Sequence, residues 1–306
     1  MTDFTLPIAI ATASGIPAGS AALWWGRRLT PEESESRSSS LVMTILVPLI
    51  TAGFFAGLTW ATLAARCQEI ESVSLSQTGE YVRLGFHLVL ITLLMTAVVT
   101  DLRDYVIPDA ITIPGMIIGV AASTVSGALE LVPLWIDWNM AILGYRGAYV
   151  PEWITLHPHW HGLAWSLTGL LAGGMIVAVT RWIARVILGR EALGFGDVTL
   201  MAMIGSFIGW QAVLFTFAIA PLAGLAVAVV LGIVSGRSFV GFGPYLAAAA
   251  IAVLFSWRWM WTPLRNTFGD WISLAILTSV AMGAFCVLLA VVRAFRAMPF
   301  EQTKRR

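Results

Sequence analysis

Long apolar stretches recur along this chain of 306 residues, and they limit its fold more than any other feature. A run of about 18 or more apolar residues marks a transmembrane helix, and several stretches exceed that length. Hydrophobic residues make up 58% of the chain and charged residues only 11%. A soluble domain is roughly half apolar and far richer in charge. The pattern predicts spans near Thr5–Trp25, Leu41–Ala65, Leu84–Thr100, Ala110–Val132, His161–Ile183, Val198–Ser235, Pro244–Trp261 and Ile272–Phe295. The stretch Val198–Ser235 is too long for one span at about 1.5 Å per residue. It is expected to fold as two, broken near Gly209-Trp210-Gln211 or at Pro221. The expected architecture is all-α: a polytopic membrane protein, a helical bundle of about eight or nine transmembrane helices.

Basic residues set the expected orientation, because cytoplasmic loops carry an excess of Lys and Arg. Arg27, Arg28 and Arg37 follow the first span, Arg103 the third, and Arg181, Arg185 and Arg190 the fifth. Arg237, Arg293, Arg296, Lys304, Arg305 and Arg306 fall on the same side of a nine-span chain with its N-terminus outside. The opposite loops carry Arg66, Arg83, Arg146, Arg258 and Arg265, partly beside glutamates. The first apolar stretch has no basic leader and does not read as a cleaved signal peptide. The loop Pro133–Trp160 is rich in Trp and Tyr, which favour the headgroup region. A net charge of +1 argues against nucleic acid as a partner. Cys67 and Cys286 form no CxxC pair or zinc module, and Cys286 reads as a core cysteine.

Against this background two aspartates stand out. Asp101 closes the run LGFHLVLITLLMTAVVT, and Asp197 lies in GFGDVTLMAMIG before another long apolar run. A charge at membrane depth costs roughly 2.5–3.5 kcal/mol on insertion scales, so each is a functional candidate. The topology puts both at the cytoplasmic membrane boundary. Two carboxylates brought close cannot both ionise easily, so one keeps its proton. Such a pair can activate water with one member and protonate a leaving group with the other. Gly194 and Gly196 clear side chains from around Asp197, so a peptide backbone can approach. Ile107-Pro108 forces a non-helical turn after Asp101. Taken singly, GxGD also suits a loop with Asp197 as a helix N-cap, and Asp101 suits a charge paired with Arg103.

Together these segments resemble the type IV prepilin peptidases, bacterial members of the GxGD membrane aspartyl proteases. Asp101, Ile107, Pro108, Asp109, Thr112 and Pro114 match the family's first block. Gly189, Arg190, Glu191, Leu193, Gly194, Phe195, Gly196 and Asp197 match its second, followed by Met203, Gly205, Gly209 and Trp210. Gly241-Phe-Gly-Pro-Tyr-Leu-Ala247 looks like a late Phe-Gly-Pro segment. The resemblance covers roughly Leu41 to Phe255. It implies a membrane endopeptidase that removes the basic leader of type IV prepilins or type II secretion pseudopilins. It implies Asp101 and Asp197 as the catalytic pair, with Pro108, Asp109, Arg190, Gly194 and Gly196 shaping the site. The implied location is the bacterial inner membrane, multi-pass, with a cytoplasmic C-terminus. No cofactor is expected, and the expected partners are prepilin or pseudopilin substrates and the lipid bilayer.

On this reading residues 1–40 form an N-terminal span and a polar cytoplasmic loop without a zinc or Cys module. Residues 41–295 form a prepilin-peptidase-like transmembrane domain, and residues 296–306 a basic cytoplasmic tail. Two departures from the family stand out. The lysine usual two residues after the second aspartate is Thr199 here, with Arg190 the candidate to supply its charge. The two CxxC pairs associated with methylation of the new pilin N-terminus are absent, so N-methyl transfer is not expected. His157, His159 and His161 alternate and could face a metal from an extended strand, but no carboxylate or cysteine completes a set nearby. Glu130 and Asp137 read as solvated at the outer edge. Two other readings stay open: a polytopic transporter using paired acids, and a catalytically altered family member with an assembly role. A presenilin-type protease also carries GxGD, but residue 100 is Thr100 rather than tyrosine, and no Pro-Ala-Leu occurs.

Overall fold

The computed structural model describes residues 4–30, 37–70, 75–136, 141–142, 145–146, 149–189, 193–235 and 241–297. The described helices are α1 (Thr5–Leu29), α2 (Arg37–Leu63), α3 (Gln77–Asp104), α4 (Asp109–Ser126), α5 (Glu152–Leu156), α6 (Pro158–Leu188), α7 (Phe195–Ser235), α8 (Gly243–Gly269) and α9 (Trp271–Ala297). The expected all-helical class holds. One small exception is an antiparallel pair, β1 (Ala141–Ile142) with β2 (Tyr145–Arg146), before α5.

Six helices are long and apolar enough to cross a membrane among the described residues: α1, α2, α3, α4, α6 and α7. α8 and α9 pass the same test of length and apolarity only together, and they meet at a 108° bend. By length and composition this gives six spans among the described residues, or seven with the bent pair counted as one, where eight or nine are expected. The expected break of Val198–Ser235 falls inside α7, where two helices meet at Gly209, and Gly224 beyond it packs on Tyr245 at the end of the bundle where α7 begins. Asp270 explains the bend: its carboxylate accepts the N–H groups of Ile272 and Ser273, capping a new helix. The expected span Ala110–Val132 is also shorter. Gly127 turns left-handed (φ 62) and ends α4, and Leu129, Leu131 and Val132 fold back into the core. Cys286, expected in the core, is only half-buried, because most of its neighbours on α9 are exposed.

Two helices form the centre of the bundle. In their most apolar windows α3 is 67% buried and α7 72%, against 28–33% for α1, α2, α4 and α6. Leu90, Ile91 and Leu94 of α3 meet Leu200, Met203 and Phe207 of α7 and Leu246, Val253 and Leu254 of α8 in one apolar core. Lipid tails are as apolar as leucine, so close backbone contact through small residues has to drive helix association. α6 and α7 show this: a Cβ on Gly169 would strike the Gly205 carbonyl, and one on Gly173 the Met201 carbonyl. The most buried helices therefore carry Asp101 and Asp197 at their ends.

The expected break in Val198–Ser235 lies at Gly209, with φ 80 and ψ 169. Only glycine tolerates that region. A Cβ there would also lie 2.5 Å from Nε1 of the fully buried Trp165. Ser206 O would normally bond the N–H of residue 210, just past the break; here Ser166 Oγ donates to it at 2.7 Å. Gly209→Ala is expected to cost about 1–3 kcal/mol, read as a lowered melting temperature in detergent. An unchanged melting temperature would show that the break is not needed.

Candidate active site

Asp101 lies in the last turn of α3 and is 4% exposed. α3 ends there because Tyr105 turns left-handed (φ 55), its N–H bonding Asp101 O at 3.0 Å. Val106 and Ile107 lead to Pro108, the N-cap of α4, which keeps the preceding residue extended. Asp197 lies in the first turn of α7 and is 7% exposed. It is the third helical residue rather than the N-cap. Its Oδ2 reaches back and accepts the Gly194 N–H at 3.0 Å. This is the return half of a capping box, and it fixes the carboxylate on the helix end.

The two aspartates meet through Ile107, which is 7% exposed. On one side a Cβ on Gly196, beside Asp197, would lie 3.0 Å from Ile107 Cβ. On the other, a Cβ on Gly243 would lie 2.9 Å from Ile107 Cδ1 and 3.0 Å from Asp101 Oδ2. A Cβ on Gly241 would collide with Asp101 Oδ2 and come within 2.6 Å of its Cγ. The Gly243 N–H, at the start of α8, faces the Asp101 carboxylate. Oδ2 of Asp101 is buried and makes no hydrogen bond of normal geometry among the described residues. The two carboxylates lie within reach of each other's charge. Asp101, Asp197, Ile107, Gly241 and Gly243 thus share one end of the bundle.

The other sequence candidates divide clearly. Gly194 bonds the Asp197 carboxylate and Gly196 packs on Ile107, next to Pro108, the N-cap of α4. Asp109 is exposed at the start of α4, where a negative charge suits a helix N-terminus; no described contact ties it to the carboxylates. Arg190 lies outside the described residues. Thr199 is turned back on its own helix, with Oγ1 donating to Gly196 O at 3.1 Å. Tyr245, in the first turn of α8, feels the charge of Asp101. Gly241, Gly243 and Tyr245 did not figure among the sequence candidates. The available signal was the Gly-Phe-Gly-Pro segment itself.

The three histidines sit at the far end of the bundle and face different partners. His161 is fully buried, with Nδ1 3.2 Å from Glu130 Oε1 and Nε2 accepting from Leu134 N at 3.0 Å. His159 Nδ1 pairs with Thr124 O at 3.0 Å, and His157 opens α6 beside Trp153. No group of three or more metal-ligating side chains occurs among the described residues. Glu130 is buried at 7% exposure rather than solvated, because it closes on His161. Asp137 lies outside the described residues.

With this geometry in place, the comparison with known families becomes specific. The family described as the type IV leader peptidase family matches residues 88–229, a segment that holds both aspartates. Curated proteins are similar to this chain over comparable lengths. A prepilin leader peptidase/N-methyltransferase of Pseudomonas putida is 29% identical over 175 residues, covering 55% of this chain and 50% of its own. One from Dickeya chrysanthemi is 32% identical over 146 residues, covering 43% and 48%. One from Escherichia coli (strain K12) is 28% identical over 149 residues, covering 44% and 66%. The chain spans about half the length of the curated relatives it matches. No solved structure matches it. Gly241 and Gly243 lie beyond the matched segment, so their place beside Asp101 rests on the structure.

Proposed function

We propose that this protein is a membrane aspartyl endopeptidase that cleaves the leader peptide of type IV prepilins or type II secretion pseudopilins. The observation that carries this reading is the convergence of Asp101 and Asp197, from opposite ends of two central helices, on one end of the bundle. One carboxylate takes a proton from water as it attacks the scissile carbonyl. The other holds a proton for the carbonyl oxygen and passes it on to the leaving amine. The pair titrates as a unit, so neither role is assigned to one residue. The glycines around it leave room for an extended peptide backbone. The open positions at this end, Tyr105, Val106 and Phe195, are apolar and exposed, which suits a substrate arriving from the membrane surface.

Charge supports a cytoplasmic site. Gly26 packs against Val99, two residues before Asp101, which brings Arg27 and Arg28 to the same level. Arg103 lies in the last turn of α3. Arg293 of α9 donates to Ile187 O near the end of α6, close to Arg185. An arginine-rich membrane face is the cytoplasmic one. On this reading the site and the end of α9 face the cytoplasm of the bacterial inner membrane.

The test is co-expression with a prepilin in a bacterium that lacks its own leader peptidase. The precursor is expected to shorten to the mature pilin, as read by immunoblot and N-terminal sequencing. A stable membrane-inserted protein that leaves all the prepilin unprocessed would overturn the proposal.

A further inference from the structure

α6 and α7 run antiparallel in close contact. Gly169 meets Gly205, and one turn further Gly173 meets Met201. The same step of four residues brings position 177 level with Asp197 and position 181 level with the loop and first residue of α7. Val177 is fully buried and has no polar side-chain atom to offer. Arg181 is half-buried, and its guanidinium carbon lies 5.9 Å from the ring centroid of Phe195. A cation over an aromatic face is held by the ring's quadrupole. Phe195 opens α7 two residues before Asp197. The Arg181 charge reaches the Asp197 carboxylate, as does that of Asp101. Thr199, one turn inside the helix, brings only a hydroxyl bonded to Gly196 O.

We propose that Arg181 is a positioning residue for Asp197. Seated on Phe195, it sets a positive charge beside a carboxylate that otherwise faces a second carboxylate. It balances the negative charge of the pair and limits how the Asp197 carboxylate can turn away from water. Arginine suits this because its planar group stacks on a ring and keeps its charge in partly buried places. The catalytic part of the inference rests on the peptidase reading; the pairing of Arg181 with Asp197 does not.

The test uses the full-length protein in detergent or lipid and has two arms. In the first, kcat and KM for prepilin cleavage are measured for wild type, Arg181→Gln and Arg181→Lys. Arg181→Gln is expected to lose roughly tenfold in kcat with KM little changed, and Arg181→Lys to keep most of the rate. Full kcat in Arg181→Gln, or equal loss in the Lys variant, would overturn the positioning role. In the second arm, melting temperatures are compared for Arg181→Gln, Asp197→Asn and the double variant. Arg181→Gln is expected to lower the melting temperature in the wild-type background and clearly less in the Asp197→Asn background. Equal losses in both would overturn the pairing. If the wild type cleaves no prepilin, the peptidase reading fails while the second arm still decides the pair.

Discussion

Asp101→Asn and Asp197→Asn are each expected to slow prepilin cleavage by about 10³-fold or more. Asparagine keeps the size and shape of aspartate, so the contacts with Gly241, Gly243 and Ile107 should survive. It can neither take nor hold the proton that moves in the reaction. The remaining carboxylate cannot serve as acid and base in one turnover. The double variant is expected to be no worse than either single one, because residues that act as a unit give non-additive losses. Initial rates with purified protein measure this, and melting temperatures check that each variant is folded. A single variant within tenfold of wild type would remove the two-carboxylate mechanism.

Gly241→Ala is expected to be nearly as damaging, with a loss of about 10²-fold in kcat/KM, because a displacement of about 1 Å at reacting groups has that size of effect. The added methyl would meet Oδ2, Cγ and Oδ1 of Asp101 at once. The carboxylate is buried at the end of a helix packed on both sides, so it must turn away from Asp197 or push α8 outwards. Gly243→Ala is a built-in comparison. Its methyl would lie 3.0 Å from Oδ2 and 2.9 Å from the tip of the Ile107 side chain, which can shift by a few tenths of an ångström. Its loss is expected to be clearly smaller. Kinetics on the two alanine variants check the order. Equal or reversed effects would mean that the start of α8 does not set the Asp101 geometry.

Much of this arrangement could be read from local sequence. Asp101 and Asp197 were legible because a charge at the mouth of an apolar run is costly wherever it occurs. Ile107-Pro108 and Gly209 were legible because proline and glycine restrict or free their own backbone. The end of α4 at Gly127 was missed because Leu129, Leu131 and Val132 continue the apolar run. Composition cannot tell a spanning residue from one that folds back into the core. The interruption between α8 and α9 was legible because Asp270 breaks the apolar pattern, but its role as a cap shows only in its hydrogen bonds to Ile272 and Ser273. Long-range partners left no local trace. Gly241 lies far along the chain from Asp101, and their contact depends on how α8 starts beside α3. The same holds for Arg181. Its place beside Asp197 follows from the glycine contacts between α6 and α7, whereas nearness in sequence favoured Arg190. Glu130 shows the opposite error, since it reads as solvated alone and is buried against His161.

The most direct measurement is mass spectrometry of a purified prepilin incubated with the purified protein in lipid, beside the Asp101→Asn/Asp197→Asn double variant. The expected result is two products from the wild type, the free leader and the shortened pilin, and intact prepilin from the double variant. Intact prepilin with a folded wild type, or leader release by the double variant, would contradict the account.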